Sequence, residues 1–212
     1  MKKLYFLTAA LAVAFFVVAS PAQAALTNAG FETWGPWGTG GAEVAGDWWS
    51  MFGDPDIVGS KSTSARSGTY SAQAVISGAG WGGWGQWLSD SVNTGDVFDA
   101  DVYVNILSDM VDSEAVLEVA FKDASEVLIG SAFTSVKSTA TSGWETLSLT
   151  TSAAPSNAAY VSYALLVRDT GASPSGTAYF DDASGRLVPE PASFLLLGLG
   201  LAGIFIVKAK KN

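Results

Sequence analysis

Cysteine and histidine are both absent from the 212 residues of this chain. Their absence excludes a disulfide framework, a His/Cys zinc site, a Cys nucleophile and a Ser-His-Asp triad of the usual kind. Basic residues are scarce as well, with 11 Lys+Arg against 20 Asp+Glu and a net charge of −9. Affinity for phosphate backbones comes mainly from Lys and Arg, so nucleic acid is excluded as a partner. No internal repeat is visible. What the chain has in excess is tryptophan, eight in all, and hydrophobic residues at 49%. These averages conceal three segments of different character.

At the N-terminus Lys2 and Lys3 precede an uncharged apolar run from Leu4 to Ala19, and Ser20-Pro21-Ala22-Gln23-Ala24 follows with small residues at the spacing a signal peptidase reads. Residues 1–24 read as a secretory signal helix cut between Ala24 and Ala25. A retained membrane anchor is the other reading of the run. At the C-terminus an apolar stretch of 14 residues, Phe194 to Val207, precedes Lys208-Ala209-Lys210-Lys211-Asn212. As a helix it reaches about 21 Å. A hydrocarbon core of roughly 30 Å requires more, so spanning draws in Ala192 and Ser193, local thinning and snorkelling lysines, which gives a membrane segment at 192–207. The basic tail stays cytoplasmic. Pro189 and Pro191 stop the helix from extending backwards.

The stretch Val188-Pro189-Glu190-Pro191-Ala192-Ser193, with its short Leu/Gly-rich span and basic end, resembles the PEP-CTERM sorting signal of Gram-negative bacteria. The resemblance covers residues 188–212. It implies that Pro189, Glu190 and Pro191 are recognised by a membrane-embedded exosortase, with removal of the tail and export to the cell surface or extracellular matrix. Such proteins are typical of bacteria that make exopolysaccharide and biofilm. A simple single-pass anchor explains the span but not the Pro-Glu-Pro.

Between the ends, residues 25 to 189 hold 6 basic and 19 acidic residues, a net −13. This is enough chain for one domain with a continuous core, and its acidity favours solubility and cation binding. Period-two alternation and β-branched residues recur between Gly/Asp/Ser/Pro breaks, and no stretch sustains a helical period. Strands are predicted at 70–77, 85–91, 97–107, 115–122, 127–133, 144–150, 160–168 and 177–182. In 115–122, Leu117, Val119 and Phe121 share one face, with Glu118 and Lys122 opposite. The fold class is therefore all-β, an antiparallel jelly-roll β-sandwich over 25–187 flanked by the signal helix and a short transmembrane helix. Residues 109–114 read equally as a helical turn or a loop. The Gly/Trp-rich stretch from Gly30 to Gly46 reads as a long adaptable loop. Only 183–188 lie between the domain and its sorting signal.

The order of landmarks resembles the carbohydrate-binding-module and galactose-binding-like β-sandwiches found beside secreted glycoside hydrolases. Asn28-Ala29-Gly30-Phe31-Glu32 opens the domain and Asp47-Trp48-Trp49 follows. Ser67-Gly68-Thr69-Tyr70-Ser71-Ala72 precedes the first long strand, Trp144 leads a later one, and residues 154–161 come before Tyr179-Phe180-Asp181-Asp182. The insertion after Glu32 departs from the pattern. The resemblance implies a structural calcium where first and last strands meet, with carboxylates from Glu32 and from Asp181 or Asp182, and carbonyls near Ser67 and Gly68. Solvated surface acids are the alternative. Calcium takes six to eight hard oxygen ligands, which suits this donor set better than zinc does.

A Trp face stacks on sugar rings, and its area serves equally as core filling. Trp48 and Trp144 sit where the resembled families place core residues. Trp34, Trp37, Trp81 and Trp84 lie among glycines and are the candidates for an exposed sugar-binding platform, unless those loops fold back over a sheet edge. Either Trp87 or Leu88 points inward. The sequence thus suggests a non-catalytic surface or matrix protein binding extracellular polysaccharide. A structural or adhesive protein without a sugar ligand is the alternative. Catalysis would have to use paired carboxylates, and no acid pair here has a proton-transfer partner.

Overall fold

The computed structural model describes residues 26–37, 42–88 and 92–188. Both expected flanking helices, the Ala24/Ala25 cleavage site and the Pro-Glu-Pro tripeptide lie outside them. Among the described residues no helix is long and apolar enough to cross a membrane. Twelve strands form: β1 Trp34–Trp37, β2 Ala42–Ala45, β3 Trp49–Gly53, β4 Ile57–Ser62, β5 Ser71–Ile76, β6 Trp81–Leu88, β7 Val97–Asn105, β8 Ser113–Lys122, β9 Phe133–Lys137, β10 Glu145–Thr150, β11 Tyr160–Asp169 and β12 Gly176–Val188. β1 and β2 make a small hairpin. The rest build two five-stranded sheets, ordered β10-β7-β12-β5-β4 and β3-β6-β11-β8-β9, and every named pairing is antiparallel. The expected all-β sandwich is the observed fold.

Alternation places the core. In β7, Phe98, Ala100, Val102 and Val104 point between the sheets, as do Leu117, Val119 and Phe121 of β8 and Val161, Tyr163, Leu165 and Val167 of β11. Side chains two residues apart share a face, so each strand fills the gap with one half of its residues. Tyr163 is fully buried and bridges the layers, its hydroxyl donating to the Asp101 carbonyl of the opposite sheet at 2.6 Å. Burial pushes its phenol well above the ordinary range, with Asp101 adding to the effect, so the hydroxyl stays a donor.

Three expectations change and one open reading is settled. The stretch from Gly30 to Gly46 contains the β1–β2 hairpin, since Trp34 and Trp37 pair with Ala45 and Ala42. Residues 109–114 form no helical turn; Met110 is buried and Val111 bridges to Ser175. The short linker at 183–188 is instead the end of β12, paired with β7 as far as Val188↔Val97. In addition, 127–133 contributes only an isolated Lys122↔Leu128 bridge, the strand starting at Phe133.

Candidate functional site

The opening motif is a plug at one rim of the sandwich. Asn28 folds it by accepting from the Thr33 amide and donating to the Thr33 and Gly46 carbonyls, all at 2.9 Å. Asn tolerates the left-handed backbone seen here (φ 46°) better than most residues. Phe31 is thereby driven into the core and stacks on Trp48, with ring centroids 4.7 Å apart. Trp48 donates its indole N–H to the Asn28 carbonyl at 3.0 Å.

Glu32, Asp181 and Asp182 all meet the loop before β5. The Glu32 carboxylate accepts the Thr69 and Tyr70 amides at 3.0 to 3.1 Å, and Gly68 leaves room for it, because a Cβ there would lie 2.2 Å from Glu32 Oε1. A bulge in β12 between Asp181 and Ser184, with Asp182 at φ 46°, turns both aspartates toward the same loop. Asp181 accepts the amides of Arg66 and Ser67, and Asp182 takes the Arg66 guanidinium at 2.6 Å and the Ser67 hydroxyl at 2.7 Å. Arg66 also lies 3.4 Å over the Tyr103 ring. Burial raises the Asp181 carboxyl despite three backbone amides that favour its charge.

The sequence therefore selected three acids that share one loop. Each carboxylate already accepts hydrogens, and among the described residues no group of three or more Asp or Glu side chains is placed to hold a metal ion. A calcium ion would need carbonyls from the loop and release of Asp182 by Arg66.

The tryptophans divide by strand parity. Residues 81, 83, 85 and 87 of β6 face out, and 82, 84, 86 and 88 face in. Trp84 is 1% exposed in the core, which corrects its assignment to an exposed platform. Trp34 is half-buried, set edge-on to Trp84 at 5.6 Å, with its N–H bonded to the Phe31 carbonyl, so it too belongs to the packing. Trp37 lies on β1. Trp81 is a large exposed indole, at 51%. Trp144 is half-buried, and Leu88 points inward, leaving half-buried Trp87 on the outer face with Trp81.

Register completes that face. Across β6, β11 and β8 the rows run Trp81–Arg168–Glu114, Gly83–Leu166–Val116, Gly85–Ala164–Glu118 and Trp87–Ser162–Ala120, the β11 residue pairing with both neighbours. The result is a strip with an indole at each end and Gly83, Gly85, Ala164, Ser162 and Ala120 among its small floor residues. Six residues of strand separate Trp81 from Trp87, about 20 Å. Val116, Ala164 and Leu166 form a second apolar cluster on this side. A cavity of about 290 Å³ opens at the Trp81 end, lined by Trp81, Glu118, Leu166, Arg168 and Asp169. Arg168 is tied to Glu114 at 2.7 Å, Lys122 lies 5.4 Å over the Trp87 ring, and Tyr160 packs beside Trp87 at 6.1 Å. Glu118 is half-buried in the middle of the strip, and burial raises its carboxyl above the ordinary range against the weaker pull of Arg168 and Lys122.

A larger cavity, about 460 Å³, lies on the outer face of the other sheet. Its lining of Asp99, Ala100, Asp101, Ser148, Leu149, Thr150 and Arg186 has no aromatic side chain, and Asp99 is already bonded to Arg186 and Thr150. The β6 face differs in carrying the exposed indole of Trp81 and the half-buried indole of Trp87.

The fold is shared with solved structures at low identity. The xylan-binding domain CBM22-1 of Paenibacillus barcinonensis Xyn10C is 18% identical, with 81% of this chain aligned to 99% of that one at a TM-score of 0.50. A Stig cyclase, Fisc from Fischerella sp. TAU, is 14% identical over 80% of this chain and 99% of that one, at 0.53. The enzymatically active domain of tailspike protein 4 from bacteriophage CBA120 is 11% identical over 68% of this chain, at 0.52, and the chain spans only 20% of its length. No curated protein matches by sequence. At its C-terminal end, residues 187–211 match the PEP-CTERM protein-sorting motif, so the chain carries an export-sorting signal directly behind a carbohydrate-binding-module-like β-sandwich.

Proposed function

We propose that this exported protein is a non-catalytic polysaccharide-binding module of the cell surface or extracellular matrix, and that the polysaccharide lies along the outer face of β6, β11 and β8. The observation that carries this is the strip between Trp81 and Trp87: indoles for the apolar faces of sugar rings, small residues between them, and Glu118 and Arg168 for hydroxyls. Pockets for organic ligands combine apolar lining with a few convergent polar groups, and this strip has that composition. The likeness to a xylan-binding domain supports the fold. It does not choose between binding and chemistry, because the same fold is seen in a cyclase.

Affinity electrophoresis of the chain from Ala25 to Pro189 in gels containing the producer's own exopolysaccharide, or soluble xylan, tests the proposal. Retardation abolished in Trp81→Ala and Trp87→Ala supports it, and unchanged retardation in both removes the site. The structural or adhesive alternative draws its support from Trp48 and Trp84, which the core absorbs. It predicts no retardation in any glycan gel.

A structural calcium is a separate part of the proposal, supported by the meeting of Glu32, Asp181 and Asp182 on one loop. Anything that binds only the folded state raises the unfolding temperature. A higher melting temperature in calcium than in EDTA is therefore expected, and equal temperatures end this part of the reading.

A further inference from the structure

The sorting motif begins before the fold ends. Its match starts at residue 187, yet Leu187 is 1% exposed in the core and pairs with Phe98, and Val188 pairs with Val97. Pro189 follows without a spacer. Three things hold this end of β12. One is its ladder with β7 from Ser184 to Val188, another the buried Leu187 side chain, and the third the ion pair of Arg186 with Asp99 at 2.9 Å. On the other side the β5 ladder stops at Phe180, so, among the described residues, 184–188 pair with β7 alone.

An enzyme that cuts a chain binds it extended, through main-chain groups on both sides of the reacting bond. Here the groups just upstream of the tripeptide are committed to β7, and the bulk of the sandwich stands one residue away. We propose that residues 184–188 form a latch: the folded domain withholds the sorting signal, and the processing enzyme gains full access only when this segment detaches from β7. The proposal rests on the reading of the tail as a processed signal. Removal of the tail breaks one peptide bond. The acyl group passes to a nucleophile of the water, hydroxyl or amine class, whose proton goes to the departing amine. The latch governs access and leaves that chemistry unaltered.

When opening and closing are fast, cleavage follows the population of the open state. A half-paired strand end belongs to the low-stability part of a fold, so the latch opens locally without global unfolding. It follows that processing and the packing of Leu187 are linked, and that a well-folded domain is shortened more slowly than a frayed one.

The test uses the full chain in a bacterium with an active exosortase, followed by pulse-chase conversion of precursor to shortened product. A Gly-Ser spacer of about six residues inserted between Val188 and Pro189 adds roughly 20 Å of reach and leaves every strand intact. It is expected to raise the conversion rate on the order of tenfold, as is Leu187→Ala, which weakens the latch from inside. Since Leu187→Ala also lowers global stability, the spacer variant decides. Conversion of the spacer variant at the parental rate overturns the latch. Glu190→Ala separates the two layers of the argument: it must stop conversion if the tripeptide is what the enzyme reads. Conversion that continues in Glu190→Ala, or that is absent from every form, overturns the sorting reading and the latch with it.

Discussion

Trp84 shows how a single residue changes meaning with its element. It is 1% exposed between the sheets, and its indole N–H is buried without a hydrogen-bond partner. Truncation to Ala removes the largest fully buried side chain, a change that costs about 3 to 5 kcal/mol. Trp84→Phe keeps most of the ring area and removes the unpaired N–H, whose burial itself carries a penalty. Chemical denaturation is expected to give a loss for Trp84→Phe well under half that for Trp84→Ala. Equal losses would mean that shape, and not the orphan donor, dominates. Glu118 gives the second residue-scale prediction. Burial raises its carboxyl in the folded state, so the folded protein binds that proton more readily than the unfolded chain does. Stability from this group is therefore present at low pH and is lost as pH rises through the interval between its unfolded and folded values. Glu118→Gln is expected to melt higher than the parent at pH 7, with the gap closing below about pH 4. A gap of the same size at both pH values would contradict the burial argument.

At the scale of elements, β6 carries both the packing and the candidate site. The first half of its sequence, Trp-Gly-Gly-Trp, reads as a loop because glycine is a poor strand former, and the predicted strand begins only at Gly85. Gly83 is there for a reason the sequence alone does not show. A Cβ on it would lie 1.9 Å from the Leu165 carbonyl oxygen and 2.8 Å from the Leu166 Cα, both main-chain atoms that cannot step aside. Gly83→Ala is expected to destabilise by about 2 kcal/mol or more. Gly35→Ala, with nothing within 4 Å of its added methyl, should be far milder by the same denaturation assay. Most long strands were legible from alternation: 97–107, 115–122 and 160–168 predict β7, β8 and β11 to within three residues at either end. The N-terminal strands were not, because β1 to β4 are short, with β1, β3 and β4 rich in Gly, Ser or Trp, and tertiary pairing decides them. The site was hidden by the same error. Once 81–88 is a strand, parity alone separates Trp81 from Trp84 and joins it to Trp87. The acids were more legible, since Glu32, Asp181 and Asp182 do converge on the Arg66–Tyr70 loop. Their bonds to amides and to Arg66 were invisible, because they depend on the β12 bulge.

For the whole molecule, the two sheets present different outer faces. One is polar, with Asp99, Asp101, Thr150 and Arg186, and the other has indoles at both ends of a small-residue strip. Without Cys or His, the groups this chain has to offer a ligand are indoles, carboxylates, hydroxyls, cationic side chains and main-chain groups. The sorting motif adds direction: its match begins at residue 187, inside β12, so the last strand and the motif overlap in sequence. A hot-spot indole at a binding surface is worth about 1.4 kcal/mol or more, which is at least tenfold in affinity. The direct test of the account is titration calorimetry of the chain from Ala25 to Pro189 with a polysaccharide that retards it. The parent is compared with Trp81→Ala/Trp87→Ala and with Asp99→Asn/Thr150→Ala on the opposite face. The account predicts that the paired Trp substitutions lower affinity at least tenfold while the opposite-face pair leaves it unchanged; equal affinities in all three, or a loss confined to the opposite-face pair, would contradict it.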